Sequence, residues 1–155
     1  MSKKADIGSR RLISLDAQGW AQWVTGNGTL QVRELLDSEF QGLSREGDIL
    51  LRVVDPIVGE FLVANEIQLR YSAQMPRRMG AYAGLAEEKF RLLVYPVPVI
   101  ILPVLGLKVV HQYESELQGI RVYQGYQIIQ LSEVEAQQVF DQPLPTLLPF
   151  VPIMT

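Results

Sequence analysis

The chain alternates short apolar runs with turn residues, and the spacing of the apolar positions predicts most of its elements. Trp20, Trp23 and Val24 fall at i, i+3 and i+4, the stripe of a helix over Leu15 to Thr25 that Gly26-Asn27-Gly28 ends. Leu35, Leu36 and Phe40 suggest a second short helix over Leu30 to Glu39. Two apolar runs follow, Asp48 to Val54 and Phe61 to Leu69, with Asp55-Pro56 and Gly59 between them. They read as the strands of an antiparallel hairpin.

Pro76 opens a long helical segment to about Tyr95, with Met79, Tyr82, Ala83, Ala86, Phe90 and Leu93 on one face. Gly80 and Gly84 weaken that helix by roughly 1 kcal/mol each relative to alanine, which points to close packing there. Further strands are expected at Val97 to Leu102, Leu107 to Tyr113 and Ile120 to Leu131, the last with Gly125 as a bulge or bend. Pro98 inside the first of these suggests an irregular start or a sheet edge. Ser132-Glu-Val-Glu135 fits a capping box for a last helix to about Asp141. The tail from Pro143 is too rich in proline for regular structure, but its leucines and Phe150 are expected to pack on the body. Residues 1–14 read as a flexible arm, and 15–155 as one domain. Strand–helix–strand around Pro76–Tyr95 calls for a crossover and a parallel pairing, hence an α/β fold with a mixed sheet flanked by helices.

Composition narrows the chemistry. The 155 residues suit one domain with a real core, and the 48% apolar content is that of a globular chain. There is no cysteine and one histidine, His111, so thiolate chemistry and clustered-histidine zinc sites are excluded. A net charge of −3 offers nucleic acid no global attraction, so DNA binding needs a local basic patch. Leu92 to Val110 is the nearest approach to a membrane span, but it holds three prolines, a glycine and Lys108. The charged start is not a secretory leader, and a cytoplasmic protein with no membrane partner is expected.

Glu66 and Gln68 lie two apart on the second hairpin strand, so their side chains share a face. Asp48 heads the first strand. Two carboxylates on neighbouring strands, with the carbonyl of Ile67, would make a hard-oxygen set of the kind Mg²⁺ accepts, with the Gln68 amide as a neutral donor beside it that orients water or phosphate. Such a site can polarise a phosphodiester and activate water. The plainer reading makes Glu66 a polar residue on a solvent-facing strand side and Asp48 a strand-entry turn residue.

Several stretches add to this. Trp20-Ala-Gln-Trp-Val-Thr-Gly26, Leu30-Gln-Val-Arg-Glu-Leu35, Arg45-Glu-Gly-Asp-Ile-Leu-Leu51, Ala64-Asn-Glu-Ile-Gln-Leu69, Met75-Pro-Arg-Arg-Met-Gly-Ala-Tyr82 and Leu147-Leu-Pro-Phe150 occur in this order. Together they resemble a cyanobacterial branch of the PD-(D/E)xK nuclease superfamily, the Rpn-type or transposase-like nucleases, in its Glu-x-Gln form. The resemblance spans about Gly19 to Thr155. It implies a restriction-endonuclease-like fold and a Mg²⁺-dependent DNA endonuclease, with Mn²⁺ able to substitute, tied to mobile elements or recombination. Asp48 and Glu66 become metal ligands and Gln68 takes the place of the usual lysine. By the same analogy a homodimer is expected.

Arg77 and Arg78, at the start of the long helix, are candidates for DNA phosphates, or are solvated surface charges. Tyr82 is expected in the core rather than hydrogen-bonded toward the site, and Trp20 and Trp23 in the core or an interface rather than as a base-stacking platform. Asp16 and Glu39 are weaker candidates for a further carboxylate. His111 is expected to be a packed or surface residue, and the basic Lys3, Lys4, Arg10 and Arg11 an ordinary charged terminus. Glutamine in place of lysine, with the acidic net charge, keeps open a non-catalytic DNA-binding or dimerisation module. An assembly protein associating through its apolar tail is a third reading.

Overall fold

The hairpin that carries Glu66 is the centre of the sheet. In the computed structural model, which describes residues 3–36 and 48–155 with side chains from Gly8 and from Ile49 onward, β2 (Asp48–Asp55) and β3 (Gly59–Gln68) run antiparallel. The turn between them is set by Asp55, whose Oδ1 accepts from the backbone N–H groups of Ile57 (2.7 Å) and Val58 (2.9 Å). Gly59 takes φ of 90°, where a Cβ is strained. With Asp55 paired to Gly59, the register runs without a slip to Asp48 opposite Glu66.

Alternation along these strands builds two cores. Ile49, Leu51, Val53, Val63 and Ile67 join Trp20, Ala21 and Val24 of α2 (Ala17–Thr25) in one cluster. Leu50, Leu62 and Ala64, on the other face, pack against Tyr82 and Ala86 of α3 (Met75–Phe90). Both faces of the hairpin are therefore covered, which is why its runs are apolar at nearly every position.

The expected second helix at Leu30–Glu39 is instead an edge strand, β1 (Gln31–Leu36), antiparallel to β2; residues 37–39 and Phe40 lie outside the described residues. A bulge breaks the alternation expected of a strand. Val32 pairs with Val53 and Glu34 with Arg52, so Arg33 is an extra residue. Val32 and Leu35, three apart, then both reach the α2-side core, which imitates a helical period.

α3 is the expected crossover, opened by proline in its first turn, and β4 (Val94–Ile100) pairs parallel to β3. The helix stops at Phe90 rather than Tyr95, with Arg91 left-handed at φ 56°. Tyr95 precedes Pro96, a position that disfavours helical backbone, and it enters β4 instead. β4 is internal, not an edge: the sheet order is β1-β2-β3-β4-β7, where β7 is Ile129–Gln130. Its prolines are tolerated because of backbone parity. Ile101 donates to the Gln68 carbonyl, whereas the Pro96 carbonyl accepts from Gln127 on the other flank. Pro96 and Pro98 thus lack N–H groups only on the flank where β7 pairs solely with Val99 and Ile100.

The strand expected at Leu107–Tyr113 begins later, as β5 (Gln112–Leu117), and pairs with β6 (Ile120–Gly125) in a separate hairpin. Val104 and Val109 cover a third cluster of Tyr71, Met75, Met79, Ile100 and Tyr126. The run expected to Leu131 breaks after Gly125, where the Tyr126 hydroxyl donates to the Val110 carbonyl (2.5 Å) and its burial pushes the phenol pKa up to about 12.

Residues 3–14, expected as a loose arm, form α1 (Lys3–Ser14), whose Ile13 is 1% exposed. Ser132 lies inside a 3-10 turn (Leu131–Glu133) rather than capping a helix, and α4 is short (Gln137–Asp141). The proline-rich tail is regular after all, a 3-10 segment over Pro145–Ile153 that buries Leu147 and ties Thr146 Oγ1 to the Leu12 carbonyl at 3.1 Å. The expected mixed sheet with helices on its faces is what the chain forms. Among the described residues no helix is long and apolar enough to cross a membrane.

Candidate functional site

Glu66 is 3% exposed, far from the solvent-facing position of the plainer reading. It sits on the α3 face of β3, since Val63 and Ile67 belong to the opposite core and Leu62 and Ala64 to the α3 side. A carboxylate this deep must be paired or neutralised. Two donors meet its Oε1. Gln68, two residues along the same face, donates from Nε2, and Arg78 brings Nη2 into an ion pair.

The crossover makes this pairing possible. β3 ends at Gln68, and the loop turns back through Ser72, whose carbonyl accepts from Met75 N–H at 3.0 Å. Met75 is fully buried and fixes the start of α3, which places Arg78 in its first turn above the C-terminal end of β3. A cation in a first helical turn opposes the helix dipole. Contact with Glu66 offsets that cost, and Arg78 is only 16% exposed.

Position 48 stands directly across the ladder from Glu66, on the same sheet face, while the Asp48 side chain lies outside the described residues. The carbonyl of Gln68 turns to β4, where it accepts from Ile101, so the carbonyl of Ile67 turns to β2, beside the start of that strand. A buried carboxylate, a backbone carbonyl and a facing aspartate position make a hard-oxygen set of the kind Mg²⁺ accepts.

Behind the site, on the α2 face, Asn65 is 1% exposed and bridges layers. Its Oδ1 accepts from Trp20 Nε1 at 3.1 Å and its Nδ2 donates to the Val97 carbonyl at 2.5 Å. Glu66 is therefore held on a strand locked from both sides.

The remaining candidates separate clearly. Arg77 is exposed, with its guanidinium 5.8 Å from the Tyr113 ring centroid. Tyr82 is buried among Leu50, Leu62, Ala64 and Ala86, as expected for a core residue. Trp20 is fully buried and Trp23 packs on the same core, with ring centroids 5.2 Å apart. Asp16 caps α2, accepting from Gly19 N–H at 2.9 Å, and Glu39 lies outside the described residues. His111 is exposed in the loop before β5. Arg10 and Arg11 belong to α1, and the side chains of Lys3 and Lys4 lie outside the described residues. Among the described residues no three carboxylate or imidazole groups gather as a metal cluster.

Reasoning from sequence named Arg78 but missed its partner, and it missed Asn65 altogether. Arg78 carried a usable sign, a cation in the first turn of a helix; its partner follows only from the crossover. Asn65 carried none, because its neighbours Glu66 and Gln68 face the other way.

No family model matches the chain, and no match to it is found among curated proteins or solved structures.

Proposed function

We propose that the chain is a Mg²⁺-dependent DNA endonuclease of the PD-(D/E)xK type, with Mn²⁺ as an alternative ion. The observation that carries this reading is the pairing of Asp48 with Glu66 across the β2–β3 ladder, with Gln68 two residues further along the same face. Asp48, Glu66 and the Ile67 carbonyl would hold the ion. When bound, the ion would supply charge neutralisation at the phosphate and a more acidic water. Gln68 would orient that water or a phosphate oxygen through its amide, in the position where the superfamily uses lysine. Arg77, exposed beside Tyr113, would hold a backbone phosphate, and Arg78 lies close enough to Glu66 to face the scissile one. By analogy with the superfamily, cleavage of both strands would need a homodimer, acting in the cytoplasm where DNA is accessible.

A second reading has an observation of its own. With Arg78 seated on Glu66, the carboxylate is already neutralised, which favours a non-catalytic DNA-binding or dimerisation module. A plasmid-nicking assay with Mg²⁺ or Mn²⁺ separates the two. The nuclease reading expects metal-dependent nicking by the wild type and its loss in Asp48→Ala. Nicking that survives Asp48→Ala removes this site from the chemistry, and no nicking by the wild type leaves the non-catalytic reading.

A further inference from the structure

The guanidinium of Arg78 occupies the place where the proposed ion would draw its charge. It reaches Glu66 Oε1 from α3, opposite in origin to Asp48, which comes from β2. Glu66 and Arg78 are 3% and 16% exposed, so their attraction is weakly screened by water. A divalent cation next to Glu66 would lie within a few ångströms of that fixed positive charge. The two cannot both claim the carboxylate without mutual repulsion.

We propose that Arg78 is an internal competitor for the metal site: its ion pair with Glu66 holds the site closed to divalent cations, and cation binding requires Arg78 to release Oε1. The released guanidinium, anchored in the first turn of α3, stays at the mouth of the site. A phosphate there would draw it off Glu66, so an anionic substrate and the cation would bind cooperatively, each lowering the cost of the other. Arg78 is on this account a positioning residue that makes metal loading dependent on phosphate. The inference rests on the metal-site reading above, and the experiment tests the two separately.

Mn²⁺ is titrated calorimetrically at pH 8 into the wild type, Arg78→Met, Arg78→Lys, Lys89→Met and Glu66→Gln, each checked for folding by its melting transition. Arg78→Met is expected to bind Mn²⁺ about tenfold more tightly than the wild type, or better, since a charge a few ångströms away has been removed. Arg78→Lys keeps a cation and is expected near the wild type. Lys89→Met, in the last turn of α3, controls for helix charge in general and is expected to match the wild type, and Glu66→Gln to lose binding. A short phosphodiester oligonucleotide with an uncleavable backbone is expected to tighten Mn²⁺ binding in the wild type but not in Arg78→Met. Equal Mn²⁺ affinity in the wild type and Arg78→Met, or an equal gain in Lys89→Met, overturns the competitor. Absence of Glu66-dependent binding in every variant overturns the metal site itself. If Arg78→Met does not fold without metal, rescue of its melting transition by Mn²⁺ supports the proposal, and failure of Mn²⁺ to rescue it counts against it.

Discussion

Trp20 of α2 donates its indole N–H to Asn65 Oδ1, from the face of β3 that lies directly behind Glu66. The same Asn65 donates to the Val97 carbonyl of β4, so one amide ties a helix and two strands together at 1% exposure. A buried amide with both ends satisfied stabilises modestly, but removing it strands two partners.

Asn65→Leu is therefore expected to destabilise the fold by about 2–4 kcal/mol, the cost of leaving the Trp20 N–H without its acceptor and the Val97 carbonyl without this donor. Trp20→Phe, which removes only the donor, is expected to cost less than Asn65→Leu. Urea unfolding followed by circular dichroism measures both. A loss below roughly 0.5 kcal/mol for Asn65→Leu would show that the bridge is not structural.

The Glu66–Arg78 pair makes a different prediction, because each partner is costly mainly when left alone. Arg78→Met alone is expected to destabilise by about 3 kcal/mol, since the buried Glu66 carboxylate then loses this cation, and Glu66→Gln is expected to cost part of that. The double variant is expected to recover at least about 1 kcal/mol of the summed loss. Additive losses in this double-mutant cycle would mean that the two side chains do not act as a pair.

How much of this was legible depends on where the determining contact lies. The hairpin was legible because its turn chemistry is local. Asp55 and Gly59 mark the turn, and counting seven residues back and seven forward from that pair reaches Asp48 and Glu66. The core role of Tyr82 was legible from helical spacing. β1 was not, because the bulge at Arg33 gives a strand the spacing of a helix, and only the ladder with β2 exposes it. The β5–β6 hairpin was hidden differently: its turn is Gln118-Gly119, with φ of 49° and 83°. Glutamine is an uncommon first residue for such a turn, where asparagine or glycine is the usual sign. Arg78 on Glu66 depends on where the crossover lands, which no local pattern records.

Asp55 predicts an acid limb of stability. Its carboxylate accepts from Val58 and Ile57 backbone N–H groups, from Asn27 Nδ2 at 2.7 Å and from Thr29 Oγ1 at 2.9 Å. The Val58 N–H, then Asn27, Ile57 and Thr29, hold its pKa far below the ordinary carboxylate value. A depressed folded pKa stabilises the fold above the unfolded pKa near 4, and that stability is lost as pH falls through the folded value. The wild type is thus expected to lose stability steadily below about pH 4. Asp55→Asn is expected to be less stable at pH 7 and to show a shallower acid limb. Parallel pH profiles for the two proteins would remove Asp55 from this role.

The two glycines of α3 part company. At Gly84 an added Cβ meets nothing within 4 Å, whereas at Gly80 it would come within 3.0 Å of Tyr113 Cδ1 on β5. Alanine gains about 1 kcal/mol over glycine inside a helix, through the backbone entropy that glycine loses on folding. Gly84→Ala should realise that gain and raise the melting temperature by roughly 2–4 °C for a domain of this size. Gly80→Ala must first displace the Tyr113 ring, which also carries the Arg77 guanidinium above it. It is expected to gain nothing or to lose stability, and to loosen the β5–β6 hairpin against α3. Hydrogen exchange of the hairpin amides measures that loosening. Equal stabilisation by both substitutions would mean that Tyr113 yields freely and that the close approach of α3 to the hairpin does not depend on glycine.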